Sequence, residues 1–99
     1  MNRPKAQWFD DDTFWERFFG LLFPERRWIQ APEEVEQVLA LAGPAGHDGA
    51  ILDLCCGPGR HAVEFARQGY SVTGVDRTQS FLDRAARFSS EAGQAVEWV

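Results

Sequence analysis

The chain has 99 residues and a formal net charge of −5, with 44% hydrophobic and 25% charged residues. These fractions are those of a folded globular protein and exclude a disordered chain, while the length allows one modest hydrophobic core. An acidic chain lacks the positive charge with which proteins hold nucleic-acid phosphates or anionic membranes, so we expect neither as a partner.

Eight of the thirteen aromatic residues lie within the first 28 positions. Their spacing predicts a helix over residues 13–23, which Pro24 ends. The aromatic stripe on this helix is either part of the core or a lid over a ligand, and core is the simpler interpretation. A second helix is predicted to begin at Pro32, a favourable first helical residue, and together these helices form an N-terminal segment over residues 1–46.

The sequence pattern changes in the second segment, residues 47–99. Residues 50–54 form a short apolar run, which predicts a strand buried on both faces. Helices and strands then alternate, with helices predicted over 60–68 and 78–91 and strands over 70–75 and 95–99. Two helices followed by this alternation predict an α/β fold with a parallel sheet and right-handed crossovers.

The turn after the first predicted strand carries residues suited to ligand binding. Asp53 lies near the end of the strand, and Gly57 and Gly59 let a ligand approach the backbone beside the free N–H groups of a helix start. Seventeen residues after Gly59, the second strand ends at Asp76, a carboxylate able to accept hydrogen bonds from both hydroxyls of a ribose. Because the carboxyl ends of parallel strands share one edge of a sheet, these residues predict a nucleoside site there.

Two interpretations of this turn remain open from the residues alone. The run Gly57-Pro58-Gly59-Arg60-His61-Ala62 fits the looser G-x-G-x-x-A form of the dinucleotide fingerprint, so a nicotinamide-binding half-domain is one alternative. The other is a nucleoside ligand of a different kind.

A second match is more specific. The run Ile51-Leu52-Asp53-Leu54-Cys55-Cys56-Gly57-Pro58-Gly59 resembles the first motif of class I S-adenosylmethionine-dependent methyltransferases, hydrophobic-hydrophobic-D-x-G-x-G-x-G, and Gly74-Val75-Asp76 resembles their second motif. The stretch 59–70 between them is similar to the bacterial small-molecule branch of that family. The resemblance implies a Rossmann-like class I methyltransferase fold, of which this chain holds the N-terminal half, with parallel strands ordered 3-2-1.

The resemblance also implies S-adenosylmethionine as the cofactor and a methyl transfer by in-line displacement at its sulfonium carbon. Gly57 and Gly59 would hold the methionine moiety, and Asp53 would interact with its ammonium group. Asp76 would hold the ribose hydroxyls, and Arg77 would lie along the adenine edge. The candidate cofactor-binding residues are Asp53, Cys55, Cys56, Gly57, Gly59, His61, Asp76 and Arg77. The resemblance identifies no catalytic residue, and the expected methyl acceptor is a small molecule.

Three of these residues have simpler interpretations as well. Cys55 stands where the family has its first glycine, so we expect a negative φ there and slightly weaker cofactor binding. Cys55 and Cys56 are more simply small packing residues, and Cys56 lacks the pattern of a nucleophile. His61 either contacts the ligand, as cofactor contact or base, or is a partly exposed histidine in the first turn of a helix.

The cysteines also bear on the compartment. Cys55 and Cys56 are adjacent, with Cα atoms about 3.8 Å apart, which is below the usual disulfide range, and they lack the spacing of a zinc site. No apolar run reaches the ~20 residues of a membrane helix, and the first residues are unlike a secretory signal peptide. We therefore expect a reduced, cytoplasmic protein with no metal site.

The sequence contains three of the seven strands of a class I domain. We expect the first strand to expose an apolar edge that a second copy or a completing chain covers. On this interpretation the 99 residues are a fragment of a longer methyltransferase and are not catalytically complete alone. The alternative from a different class is a non-catalytic module that keeps the fold for association.

Overall fold

The computed structural model describes residues 7–42 and 49–99. After a 3-10 turn at Trp8–Asp10, the elements in chain order are α1 (Asp12–Leu22), α2 (Glu25–Ala42), β1 (Ala50–Leu54), α3 (Arg60–Arg67), β2 (Ser71–Val75), α4 (Gln79–Glu91) and β3 (Glu97–Trp98). This order confirms the predicted pair of helices followed by β-α-β-α-β. The predicted segment boundary between residues 46 and 47 lies outside the described residues. In the ranges 7–42 and 49–99, no helix is long and apolar enough to cross a membrane.

The three strands form one parallel sheet in the order β1-β2-β3, which confirms the predicted order. Ile51 of β1 lies opposite Val72 of β2, and both side chains pack towards α3 in the main apolar cluster. The carboxyl ends of β1 and β2 therefore lie side by side at one edge of the sheet. This edge is where open α/β sheets bind their ligands.

The core combines both predicted segments. Val35 of α2 is fully buried and clusters with Ala62, Phe65 and Ala66 of α3 and with Val72 of β2. Helix α2 thus packs on α3 as part of the same core as the sheet, although it precedes the β-α-β-α-β part in the sequence.

Two expectations for the N-terminal helices are wrong. The second helix begins at Glu25 and runs through Pro32, because contacts on both sides of the proline hold it in place: Trp28 packs edge-on against Phe88, and Val35 is buried. The aromatic stripe of α1 is not core, since no side chain of α1 is buried. Its rings lie partly exposed against α4 instead.

The expectation that β1 is buried on both faces is also wrong. Leu52 and Leu54 are 61% and 66% exposed, whereas Ile51, on the other face, packs in the core. Among the described residues, β1 pairs only with β2, and both leucines on its outer face are largely exposed. The predicted apolar edge, the unpaired lateral side of β1, is therefore present.

The turn from β1 to α3 takes a left-handed conformation at alternate residues. Cys55, Gly57 and Gly59 have φ values of +57°, +59° and +88°. The expected negative φ at Cys55 is wrong, because the tight return of the chain imposes the left-handed conformation and the exposed side chain has room to accept it. A non-glycine residue in this region carries a strain of roughly 1–2 kcal/mol.

Replacing Cys55 with glycine should relieve this strain. The gain is partly offset by the greater freedom of glycine in the unfolded chain, so we expect Cys55→Gly to raise the free energy of unfolding by about 0.5–1 kcal/mol. Urea unfolding followed by circular dichroism measures the change. Cys55→Ala is the control, because it removes the thiol and keeps the strain; an equal gain in both variants would contradict the conformational explanation.

Gly74 of β2 and Trp98 of β3 are register partners that pack closely together. A Cβ atom at Gly74 would lie 2.4 Å from Cζ3 of Trp98, so the indole ring rests directly on the glycine. Gly20, on the exposed side of α1, has no atom within 4 Å of the same position.

Replacement by alanine should change the free energy of unfolding in opposite directions at these two glycines. We expect Gly74→Ala to lower the free energy of unfolding by about 1–3 kcal/mol, because the ring must move. We expect Gly20→Ala to raise it by about 1 kcal/mol through higher helix propensity. Parallel denaturant titrations of the two variants provide the test, and a neutral Gly74→Ala would show that Trp98 is free to relocate.

Candidate functional site

A pocket of about 440 Å³ opens at the carboxyl ends of β1 and β2. It is lined by residues of the 3-10 turn, α1, the two strand ends and the start of α4: Phe9, Trp15, Leu54, Cys55, Val75, Asp76, Arg77, Thr78 and Phe81. Three of the predicted candidates, Cys55, Asp76 and Arg77, are therefore brought together in its wall. The pocket lies at the edge of the sheet where the sequence places a nucleoside site.

Asp76 is the central polar group of this site. Its Oδ2 accepts a hydrogen bond from the N–H of Gly57 at 2.9 Å, and its Oδ1 accepts one from the N–H of Thr78 at 2.8 Å. One half-buried carboxylate thereby connects the glycine turn to the start of α4. Each carboxylate oxygen has two lone pairs, so both can accept a further hydrogen bond from a ligand hydroxyl.

The glycine turn is buried and closely packed. A Cβ atom at Gly59 would lie 2.8 Å from Trp98 and 3.1 Å from Cβ of Ala85, so this glycine is required by the interior as well as by its positive φ. A Cβ atom at Gly57 would meet only the ring of Phe23, at 3.4 Å. Gly59 is thus explained by packing within the chain, while Gly57 lies beside Asp76 with its N–H already directed into the site.

Asp53 is a half-buried carboxylate that makes no hydrogen bond to any described residue. Its pKa is raised above the ordinary value of 3.8, mainly because burial disfavours the charged form. The charge of His61 opposes this shift, that of Asp76 adds to it and that of Arg60 opposes it. A carboxylate in this state is suited to pairing with a cationic ligand group such as an ammonium.

The two cysteines have different surroundings. Cys56 is buried, its Sγ contacts the sheet at Gly74, and burial raises the pKa of its thiol to about 12. The thiol is therefore protonated at neutral pH, as expected of a packing residue and not of a nucleophile. Cys55 is exposed at the pocket, so the expectation that it is a packing residue is wrong.

His61 lies outside the pocket wall. Its Nε2 is 3.2 Å from Oε1 of Glu34 on α2, and the guanidinium of Arg60 donates to the same oxygen at 2.7 Å. Arg60 also donates to the carbonyl of Arg27 at 2.7 Å. The hydrogen bond from Arg60 lowers the pKa of Glu34, and that from His61 adds to the effect. These residues join the start of α3 to α2.

Three aromatic pocket residues were not predicted individually. Phe9 and Trp15 reach the pocket from the N-terminal segment, and Phe81 reaches it from α4. The guanidinium of Arg77 lies 5.4 Å from the ring of Phe9 and forms an ion pair with Asp10. The available signal was the concentration of aromatic residues next to acidic ones, which suggested a lid without indicating which rings face the ligand.

The environment of Asp53 predicts a pH-dependent stability difference. Because folding raises its pKa, the folded state binds the proton more tightly, and ionisation above that pKa opposes folding. We expect Asp53→Asn to be more stable than the native chain at pH 7. The advantage should shrink as the pH falls towards the ordinary pKa of 3.8, below which the carboxyl is protonated in both states.

Urea unfolding of the two chains at pH 7 and at pH 4 measures this difference. Asp83→Asn is the control, since it removes an exposed carboxylate on α4. An advantage of Asp53→Asn that is equal or larger at pH 4 would contradict the assignment of burial as the cause.

Comparisons with known proteins identify similar methyltransferases. A family model described as a methyltransferase domain matches residues 51–99. An uncharacterized protein of Haemophilus influenzae is 39% identical over 65 residues, which is 66% of this chain and 24% of that protein. The 23S rRNA (uracil(1939)-C(5))-methyltransferase RlmD of Pseudomonas putida is 44% identical over 52 residues, 52% of this chain and 11% of that enzyme. The ubiquinone biosynthesis O-methyltransferase of Rickettsia felis is 39% identical over 49 residues, 50% of this chain and 20% of that enzyme.

A solved structure from work on the conversion of a disulfide bond into a thioacetal group during echinomycin biosynthesis superposes with a TM-score of 0.55. The two chains are 29% identical, and the match covers 70% of this chain and 26% of the solved chain. The chain spans a quarter or less of the length of these curated relatives. With both motifs at the carboxyl ends of β1 and β2, these matches show that the chain belongs, through residues 51–99, to the class I S-adenosylmethionine-dependent methyltransferase family.

Proposed function

We propose that this chain binds S-adenosylmethionine and forms the cofactor-binding portion of a methyltransferase. The observation that carries the proposal is the position of Asp76, whose carboxylate holds the N–H of Gly57 and lies in the wall of the 440 Å³ pocket. Members of the family use this cofactor, and the pocket volume is in the range of small-molecule sites.

The polar groups of the site fit the two ends of the cofactor. Asp76 has free lone pairs for the ribose hydroxyls, and Asp53, half-buried without a hydrogen bond to the described residues, suits the ammonium of the methionine moiety. Leu54, Val75 and Phe81 supply apolar walls for the base. When bound, the cofactor supplies an activated methyl group, and the role of these residues is to hold and orient it.

We propose a small molecule as the methyl acceptor. The relatives include both an rRNA methyltransferase and a ubiquinone biosynthesis O-methyltransferase, which match 52% and 50% of this chain. The charge of −5 favours the small molecule, because proteins that hold RNA need positive charge against its phosphates.

A non-catalytic association module is the second candidate function. The observation in its favour is the open face of β1, where Leu52 and Leu54 are exposed. Association alone, however, has no need of the contacts among Asp76, Gly57 and Thr78. The nicotinamide-binding half-domain is third, since it rests on the looser fingerprint alone.

The exposed Cys55 provides a direct test of ligand binding. Cys55 lines the pocket, while Cys56 is buried with a thiol pKa of about 12, so alkylation by iodoacetamide reports on Cys55 alone. We expect S-adenosylhomocysteine to slow this alkylation at least tenfold at saturation and NADH to have no effect. Protection by NADH and not by S-adenosylhomocysteine would favour the nicotinamide half-domain.

Both free thiols also fit a reducing compartment, so the proposal includes a cytoplasmic location.

Asp76→Asn tests the residue that carries the proposal. Hydrogen bonds to a charged group contribute about 1.5–3 kcal/mol, so we expect S-adenosylhomocysteine to bind about 10- to 100-fold more weakly in calorimetric titration. Asp83→Asn is the matched control and should bind as the native chain does. Because Asp76 also holds two backbone N–H groups, circular dichroism must show the variant folded at the titration temperature. Unchanged affinity in a folded Asp76→Asn would overturn the assignment.

A further inference from the structure

We propose that residues 8–22, here called the lid, close the cofactor pocket and are held closed by charge pairs with α4 and the residues just before it. The lid consists of the 3-10 turn and α1. Opening of the lid would then set the rate at which the ligand enters and leaves. The inference concerns the regulation of the proposed cofactor site and rests on that proposed function.

The lid contributes no buried side chain of its own to the core. None of the side chains in the 3-10 turn or α1 is buried, and Trp8 and Leu21 are 62% and 74% exposed. The unit is nevertheless held together internally, since the indole N–H of Trp15 donates to the carbonyl of Phe9 at 2.8 Å and the ring of Trp8 lies 4.9 Å from that of Phe14. A segment with few buried contacts belongs to the part of a structure that opens most easily.

The lid covers the pocket with two aromatic rings. Phe9 and Trp15 both line the cavity, and the ring of Trp15 lies 5.7 Å from that of Phe81 in an edge-on contact. Phe81 itself is buried at the start of α4. Movement of the lid away from Phe81 would therefore remove one wall of the pocket.

Three acidic side chains of the lid face partners on α4 or just before it. Asp10 pairs with Arg77, and Asp12 accepts a hydrogen bond from the N–H of Ser80 at 3.4 Å. Glu16 forms a two-pronged pair with Arg84, with distances of 2.8 and 3.2 Å. Arg84 also lies 3.8 Å from the ring centroid of Phe19 in α1.

These contacts have the properties of a salt-sensitive closure. Exposed ion pairs are individually weak, and salt screens them because the Debye length falls from about 10 Å at 0.1 M to about 3 Å at 1 M.

The lid also meets α2 at Phe23 and Pro24, where Phe23 leaves the helical conformation with φ −126° and ψ 60°. This two-residue junction is a suitable hinge, because it separates the exposed α1 from α2, which is anchored in the core.

Charge reversal at the Glu16–Arg84 pair tests the closure. Glu16→Arg and Arg84→Glu each place like charges opposite one another, so we expect each to speed the dissociation of S-adenosylhomocysteine about three- to tenfold in stopped-flow fluorescence. The double variant restores opposite charges and should recover at least half of the change on a logarithmic scale. Asp83→Asn, on another side of α4, should dissociate at the native rate. Native dissociation rates in the single variants would overturn the proposal. So would a double variant whose dissociation is accelerated by the product of the two single-variant accelerations.

Two readouts without ligand keep the test independent of the proposed function. We expect Glu16→Arg to raise hydrogen exchange in residues 12–22 and not in 60–67, and to speed alkylation of Cys55, with both effects reversed in the double variant. If no chain binds S-adenosylhomocysteine while these effects appear, the cofactor assignment fails and the lid stands. If the ligand binds and neither exchange nor alkylation responds, the lid fails and the cofactor assignment stands.

Discussion

The carboxylate of Asp76 fixes the shape of the site on which the other features depend. By accepting the N–H groups of Gly57 and Thr78, it holds the turn after β1 against the start of α4 at the shared edge of the sheet. The parallel pairing of β1 with β2 makes this possible, because it brings the two strand ends together. The group proposed to hold the ribose therefore already organises the site without a ligand, which lowers the cost of ordering on binding.

Asp53 and Asp76 are two carboxylates at the same end of the sheet with different surroundings. The lone pairs of Asp76 are partly used by backbone N–H groups, whereas Asp53 has no hydrogen bond to a described residue and a raised pKa. A cation offered to this end of the sheet gains more at Asp53, because no hydrogen bond from a described residue stabilises its charge there. Asp76 instead sets orientation, since its hydrogen bonds fix its position. Neutralising Asp53 should consequently raise the stability of the fold and lower the affinity for the ligand. Neutralising Asp76 should lower both.

The sequence predicted what local patterns determine and failed where distant neighbours decide. The order of elements, the parallel sheet and the places of Asp53 and Asp76 follow from apolar runs and glycine turns. The left-handed Cys55 was missed because the conformation is imposed by the whole turn, and the exposure of Leu52 depends on what lies on the outer face of the sheet. The contact of Trp15 with Phe81 joins residues 66 positions apart, which no local pattern reveals.

The two N-terminal helices precede the family match, which begins at residue 51, and they contribute to different parts of the structure. Helix α2 supplies Val35 to the core, so a change there alters the stability of the fold. Helix α1 supplies Trp15 to the pocket and nothing buried to the core, so its sequence can change without loss of the sheet. Helix α1 lies outside the family match, which covers residues 51–99. The proposed lid therefore belongs to the part of this chain that the family match does not specify.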